Sequence, residues 1–512
     1  MKSLIYSSLF LALALLLSSC TSDLPNYVSF EAYEYASLDA TGGQWKPILL
    51  TSATQIGIPA PEAASSAEFL AEVAEVKTLS ASLTEEQQAA VEYWGSNSLI
   101  RWNEIARDLA AKYNLPASPN ADGTYSGADP ANPGNYPYFP FAHPPYASRA
   151  LAYWSTAQFD ALIAVWHYKN QYNRPTPAQA DASVVTHLPA NALPGYPSDG
   201  ATVAAVSKAI LSAMFPLEKE YIAQKALEHQ NALKWAGVNV QSDIQAGDSL
   251  GRAVAAVFLA RAGSDGMKKA QTPKAISDSI RDDAQARLGW HWENQESPVR
   301  PVGITPLFGK VKLWCVPNVV VVRPVPPPAP GSAQFEADAA ELREFAKNPT
   351  PEQRKIANFW SDGLGTYTPP GHWNRLASDY IVKYKFNPLR SARTFAYLNM
   401  AIMDAGISCW DAKYYYHYPR PIQTMPGFKT ILGTPNFPAY TSGHSTFSAA
   451  AAEVLSYIFP QEQSYCEAWA EEASMSRVYA GIHYRFDTEA GKTQGKAVAA
   501  YAVDKAKVDG AD

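Results

Sequence analysis

The residues of this sequence best suited to chemistry fall within one stretch. They read Lys413-x6-Arg420-Pro421, then Thr441-Ser442-Gly443-His444, then Ser476-Arg477-x5-His483-x3-Asp487. Together they supply three cations, a hydroxyl, a glycine amide and two imidazoles. That is the set a tetrahedral or trigonal-bipyramidal oxyanion needs. Arginine forks give bidentate contacts to such oxygens, and lysine adds a point charge. Ser442 and Gly443 come just before an Ala-rich run, Ala449 to Ala452. If that run is a helix, their amides can meet the anion at its positive N-terminal end, with Thr441 also able to cap it. His483 and Asp487 are four residues apart, so on a helical turn the carboxylate can fix the imidazole tautomer.

The remaining histidines have blander readings. His143, His167, His187, His229 and His291 stand alone in the sequence and read as structural. His372 stands in Pro370-Gly371-His372-Trp373-Asn374, which is a more suggestive setting.

These residues must be positioned by helices, and an internal repeat shows which. Ser148 to Pro175 resembles Ala392 to Pro419 at an offset of 244, pairing Arg149 with Arg393, Asp160 with Asp404, Trp166 with Trp410 and Lys169 with Lys413. The offset holds without a gap to Ala236–Ala256 against Ala480–Ala500, where 10 of 21 positions are identical, far above chance. Upstream, Trp102 to Tyr113 matches Trp373 to Tyr384 at 271, and the extra residues fit a Pro/Gly/Asn-rich insertion around Ser118 to Tyr146. Residues recurring in the copy without the motif read as architecture: Trp410 as core, Asp404 as a buried hydrogen-bonding group. His372 pairs with Arg101, which favours a structural or supporting part.

Apolar spacing of three and four, as in Phe159, Leu162, Ile163 and Trp166, predicts helices. Thr84-Glu85-Glu86-Gln87 and Thr350-Pro351-Glu352-Gln353 have the capping-box pattern. The expected fold is all-α: two related helix bundles from an internal duplication, packed together. The expected parts are a leader at 1–19, an N-terminal segment at 20–65, a degenerate first copy at 66–262, a connector at 263–331 and the motif-bearing copy at 332–512. Within the connector, Val319 to Val322 predicts a short strand, followed by a stiff proline run from Pro324 to Pro328.

Composition narrows the partners. With 47% hydrophobic and 18% charged residues the chain can bury large cores, which excludes wholesale disorder. A net charge of -6 excludes a generally basic surface, so no nucleic-acid partner is expected. Lys2 and the apolar run Leu9 to Leu17 predict a secretory leader too short to span a bilayer comfortably. Its end, Leu17-Ser18-Ser19-Cys20, resembles a bacterial lipobox. That resemblance implies lipidation at Cys20 and membrane attachment only through this anchor. Thr21 in place of an aspartate implies the outer membrane, with the chain on its periplasmic or surface face. Cys315, Cys409 and Cys466 remain, an odd number without a CxxC pair, so no metal framework is legible. Cys409 and Cys466 read as buried small apolar residues.

The order and spacing of the three-part motif resemble the superfamily joining type 2 phosphatidic acid phosphatases, bacterial acid phosphatases and vanadium-dependent haloperoxidases. Thr441 departs from it, standing where that family usually has proline. Pro370 to Tyr380, Asp404 to Lys413 and the doubled length look more like the haloperoxidases. The resemblance implies an enzyme with vanadate as cofactor, its oxygens held by Lys413, Arg420, Ser442, Gly443 and Arg477. His483 would be the axial vanadium ligand, His444 the acid–base group beside the apical oxygen, and Phe437 the halide-side aromatic. The implied reaction is oxidation of iodide or bromide by hydrogen peroxide. The alternative is an acid phosphatase that hydrolyses a phosphomonoester without metal, with His483 as nucleophile and His444 protonating the leaving alcohol. The first copy has Thr176, Gly200, Leu233 and Asn239 at the positions of Arg420, His444, Arg477 and His483, and Asp199 at that of Gly443. It is therefore expected to hold no anion.

Overall fold

Side-chain caps set where several of the helices begin. Thr84 Oγ1 accepts from Gln87 N while Gln87 Oε1 accepts from Thr84 N, and Thr350 and Gln353 repeat the exchange. Both predicted capping boxes are thus in place. The computed structural model describes residues 33–116, 118, 120–121, 131–132, 139–189, 192–296 and 299–511. The expected leader and Cys20 lie outside the described residues.

Helices α1 (Ala67–Ser80), α2 (Glu85–Gly95), α3 (Ser98–Tyr113), α4 (Pro144–Tyr172), α5 (Pro177–Ala180), α6 (Asp199–Met214), α7 (Lys219–Trp235) and α8 (Gln241–Gly263) form the first unit. After α9 (Lys274–Leu288) in the connector, the second unit follows. It comprises α10 (Ala333–Lys347), α11 (Pro351–Phe359), α12 (Thr368–Lys383), α13 (Pro388–Tyr416), α14 (Pro421–Thr424), α15 (Gly443–Ile458), α16 (Gln463–Tyr479) and α17 (Arg485–Ala506). The first residues of α4 to α8 recur 244 positions later in α13 to α17. The protein is all-helical, and no strand occurs among the described residues.

The expected strand at Val319–Val322 is a 3₁₀ turn instead. The Asn318 side chain accepts from Val320 N and Val321 N, which curls the backbone. Val320 and Val321 stay exposed with no neighbouring strand to complete a ladder. β-Branching favours a strand only where a partner is present.

The long helices α4 and α13 pack on each other at the centre, buried on nearly every side. Equivalent residues meet there: Asn399 Nδ2 donates to Ser155 Oγ (3.2 Å), and Asn103 Nδ2 to Asn374 Oδ1 (2.8 Å). Contact between equivalents is the signature of an approximate two-fold axis. Other features recur about that axis. Arg149 pairs with Asp265 (2.6 Å) and Arg393 with Asp509 (2.7 Å), all buried.

Asp160 and Asp404 are indeed buried hydrogen-bonding groups, but each clamps a preceding strap of chain. Asp160 accepts from the amides of Ile48, Leu49 and Leu50, and Asp404 from those of Trp314, Cys315 and Val316. The tryptophans one turn and a half along extend the parallel, Trp166 Nε1 donating to Leu38 O and Trp410 Nε1 to Ile304 O. Structural correspondence therefore reaches upstream of Ser66 and Ser332, into the N-terminal segment and the connector. Cys315, Cys409 and Cys466 are free, the last two buried. No helix among the described residues is long and apolar enough to cross a membrane.

Candidate active site

Five segments deliver the motif to one place. The last turn of α13 carries Lys413, and the loop before α14 carries Arg420. Ser442 is the N-cap of α15, with Gly443 and His444 in its first turn. Arg477 sits in the last turn of α16. Gly481, at φ +76, then reverses the chain so that His483 returns just ahead of α17.

The geometry corrects two expectations. Thr441 does not cap α15; Ser442 Oγ does, accepting from Ser445 N (3.4 Å). The Thr441 hydroxyl donates to Gln494 Oε1 (2.7 Å) and ties the loop to α17, across a cis Tyr440–Thr441 peptide. His483 and Asp487 also do not share a helical turn. His483 lies outside α17, and Asp487, in its first turn, accepts from Tyr484 N (3.1 Å) and meets His483 Nδ1 at 2.9 Å with the same oxygen. The expected imidazole–carboxylate contact survives by a different route. With Nδ1–H given to Asp487, His483 Nε2 keeps its lone pair, 3.0 Å from Arg420 Nη1.

The three cations are almost wholly buried: Lys413 0%, Arg420 1% and Arg477 2% exposed. None is ion-paired with a carboxylate among the described residues. Lys413 Nζ donates to the carbonyls of Pro438, Ala439 and Thr441 (2.9, 2.9 and 2.5 Å). Arg420 donates to Phe437 O (3.0 Å) and Ile482 O (2.8 Å), and Arg477 to Ser476 Oγ (2.9 Å) and Ala357 O (3.0 Å). Phe437 roofs the cluster, its ring 4.9 Å from Lys413 Nζ, 5.1 Å from the Arg420 guanidinium and 5.0 Å from Trp410.

Burial pushes Lys413 down to about 7 and both arginines to about 10. It also drives His483 and His444 well below the usual imidazole range, the cations adding to the effect. Asp487 is pushed up to about 7 by burial, against the pull of Lys413 and Arg420. Uncompensated buried charge costs several kcal/mol, so the pocket calls for a negative guest.

Three features fit an oxyanion. Arg420 Nη2 and His444 Nε2 are buried without a hydrogen-bond partner. A Cβ built on Gly443 would meet nothing nearer than 3.9 Å, so there is room beside its backbone. No cluster of three or more His, Cys, Asp or Glu that could hold a metal cation occurs among the described residues. The site suits an anion held by donors.

The first unit shows the same place neutralised from within. Lys169 Nζ pairs with the Asp199 carboxylate (3.2 Å) and donates to Pro194 O (2.5 Å). Arg174, out of register in sequence, is buried and paired with Asp243. Asn239 fills the place of His483 and bonds Ser198, Gly195 and Asp243.

The sequence reading missed Asp362. Its Oδ2 lies 3.9 Å from His444 Nε2, and both its oxygens meet His372 Nδ1, at 3.1 and 3.2 Å. The signal available was a contrast between copies: at the offset of 266 that relates α1 to α10, Asp362 faces Ser96. His143, His187 and His229 serve structure, capping α4, bonding Ser80 O (2.8 Å) and accepting from Trp102 Nε1 (3.2 Å).

Residues 393–507, from α13 through α17, match the profile of the PAP2 superfamily. This stretch is a PAP2 superfamily domain. Every motif residue from Lys413 to Asp487 lies inside the PAP2 domain, whereas Asp362 and His372 lie before it. The chain is also 29% identical over 137 residues to a vanadium chloroperoxidase of Curvularia inaequalis, covering 21% of this chain and 22% of that relative. The match thus spans about a fifth of the relative's length. Among solved structures, a bacterial vanadium-dependent iodoperoxidase superposes with a TM-score of 0.60 at 22% identity, covering 80% of this chain and 95% of that one. A holo-type bacterial vanadium-dependent chloroperoxidase gives 0.51 at 13% identity, covering 77% and 100%. At these identities the superpositions show the fold: the PAP2 domain and its partner unit have the helical haloperoxidase architecture.

Proposed function

We propose that the protein is a vanadium-dependent haloperoxidase that oxidises iodide or bromide with hydrogen peroxide, exported and anchored through Cys20. The observation carrying this reading is the set of three buried cations without carboxylate partners, arranged around unpartnered donors. Lys413, Arg420, Arg477, Ser442 and the Gly443 amide would hold the oxygens of vanadate. His483 Nε2, its lone pair oriented by Asp487, would ligate the vanadium. Bound vanadate would supply a Lewis-acidic centre that activates peroxide towards halide. The chain's own contribution is to hold that charge in a dry pocket and to move a proton at His444. His444, whose side chain is 18% exposed, is the least buried of the motif's charged and imidazole groups. Burial keeps it neutral, ready to take a proton from a bound oxygen acid. Phe437 would shape the halide side.

The PAP2 match supports a second reading on the same residues, hydrolysis of a phosphomonoester. His483 Nε2 would attack phosphorus as the ester P–O bond breaks, and His444, protonated once the ester's negative charge is bound, would give the leaving alcohol its proton. Water, deprotonated by His444, would then cleave the P–N bond to release phosphate. One preparation decides between them. Orthovanadate added to the metal-free protein should bring peroxide-dependent iodide or bromide oxidation, and phosphate should compete with it. Aryl phosphate hydrolysis inhibited by vanadate, with no halide oxidised, would establish the phosphatase instead.

A further inference from the structure

We infer that His372 is a positioning residue for His444, acting through Asp362. The inference rests on the reading above that His444 is the site's acid–base group. It starts from a difference between the two units. In the first, the imidazole of His229, from α7, stacks on Trp94 (4.4 Å, 13°) and accepts from Trp102. In the second, Trp360, 266 positions after Trp94, is covered at the same distance and nearly the same tilt (4.4 Å, 18°) by His372, which comes from α12. Ala473 stands at the repeat position of His229. The stacked ring has thus changed its parent helix, and its nitrogen now faces the site.

That nitrogen meets both carboxylate oxygens of Asp362, and the pair is buried, with side chains 5% and 6% exposed. Phe359 closes on the ring edge (5.2 Å), and Trp360 is itself fixed through Nε1 to Glu472 (2.9 Å). His372 therefore cannot swing, and the carboxylate it holds is equally fixed. Asp362 carries its charge to 3.9 Å from His444 Nε2, an atom with no hydrogen bond of its own. Arg477, Lys413, His372 and His483 are the other charged or titratable groups facing His444, and none is an anion. Asp362 is the one anion in this group, and a backbone hydrogen bond with Trp360 also favours a proton on His444. Freed from His372, it could turn towards Arg477, the other positive group in its field. The first unit has neither member of the pair: Ser96 and Arg101 stand at their positions.

The test compares His372→Phe, which keeps an aromatic on Trp360 but removes the donor, with His372→Asn, which returns an N–H near the Nδ1 position. His372→Phe should lower kcat about tenfold, as expected when a general acid–base is misplaced. KM and the thermal midpoint should stay near wild type, and His372→Asn should recover most of kcat. In metal-free protein labelled with ¹⁵N-histidine, the ring signals of His444 should move in His372→Phe and return in His372→Asn. Unchanged His444 signals and kcat in His372→Phe, with the wild type active, would overturn the inference. So would a loss that Asn fails to repair. A wild type without either activity would instead remove the reading on which it rests.

Discussion

His483→Ala is expected to cost about a thousandfold or more in turnover, whichever reaction is assayed, because removing a nucleophile or an axial ligand removes a step and not a refinement. No other side chain of the motif presents an acceptor nitrogen at that point, beside Arg420 Nη1. His444 cannot substitute, since a backbone hydrogen bond with Trp360 fixes its ring and its Nε2 lies 3.9 Å from Asp362. The helical fold should persist, because His483 lies outside α16 and α17 and its ring contacts only Asp487 and Arg420 through hydrogen bonds. Steady-state assays beside circular dichroism check both halves of the expectation. A loss of only a few-fold in rate would mean the chemistry occurs elsewhere. Asp487→Asn should cost less, since the ligand atom stays and only its orientation and tautomer are disturbed.

Arg420→Ala should weaken oxyanion binding by about a hundredfold. A charge-assisted hydrogen bond contributes roughly 1.5–3 kcal/mol, and every 1.4 kcal/mol is tenfold in affinity. Two facts make this side chain more exposed to loss than the other cations. Its Nη2 is buried with nothing to bond, and its Nη1 touches the lone pair of His483. It thus reaches both the guest and the axial nitrogen. Arg420→Lys should be intermediate, keeping the charge while losing the fork. Isothermal titration with orthophosphate measures the effect without requiring turnover. Equal affinities in wild type and Arg420→Ala would show that the fork points away from the guest.

Most of the candidate site was legible in the sequence because the proposed chemistry depends on residue types at short spacings. Lys413, Arg420, Ser442, Gly443, His444, Arg477, His483 and Asp487 are all brought together. The repeat was legible for a related reason, since α4 and α13 are buried on nearly all sides and must keep their side chains. The straps clamped by Asp160 and Asp404 were not legible. They are held through backbone amides, so Ile48-Leu49-Leu50 and Trp314-Cys315-Val316 need share no side chain. Four consecutive valines misled for a similar reason, because a strand depends on a neighbour that local sequence does not contain. Asp362 was missed because it reaches His444 through tertiary packing of the turn after α11, far from the motif in sequence. Arg174 stands two residues out of register with Arg420 at the offset of 244, yet the loop before α5 still brings it to Asp243.

One oxyanion site per chain is expected, formed by the PAP2 domain, because the first unit satisfies its own cations with Asp199 and Asp243. The most direct test is the vanadium content of the full chain, measured by elemental analysis after saturation with orthovanadate and removal of the excess. One vanadium per chain is expected, displaced by phosphate and lost from His483→Ala, with Lys169→Ala unchanged. Two vanadium atoms per chain, or one that survives His483→Ala, would contradict it.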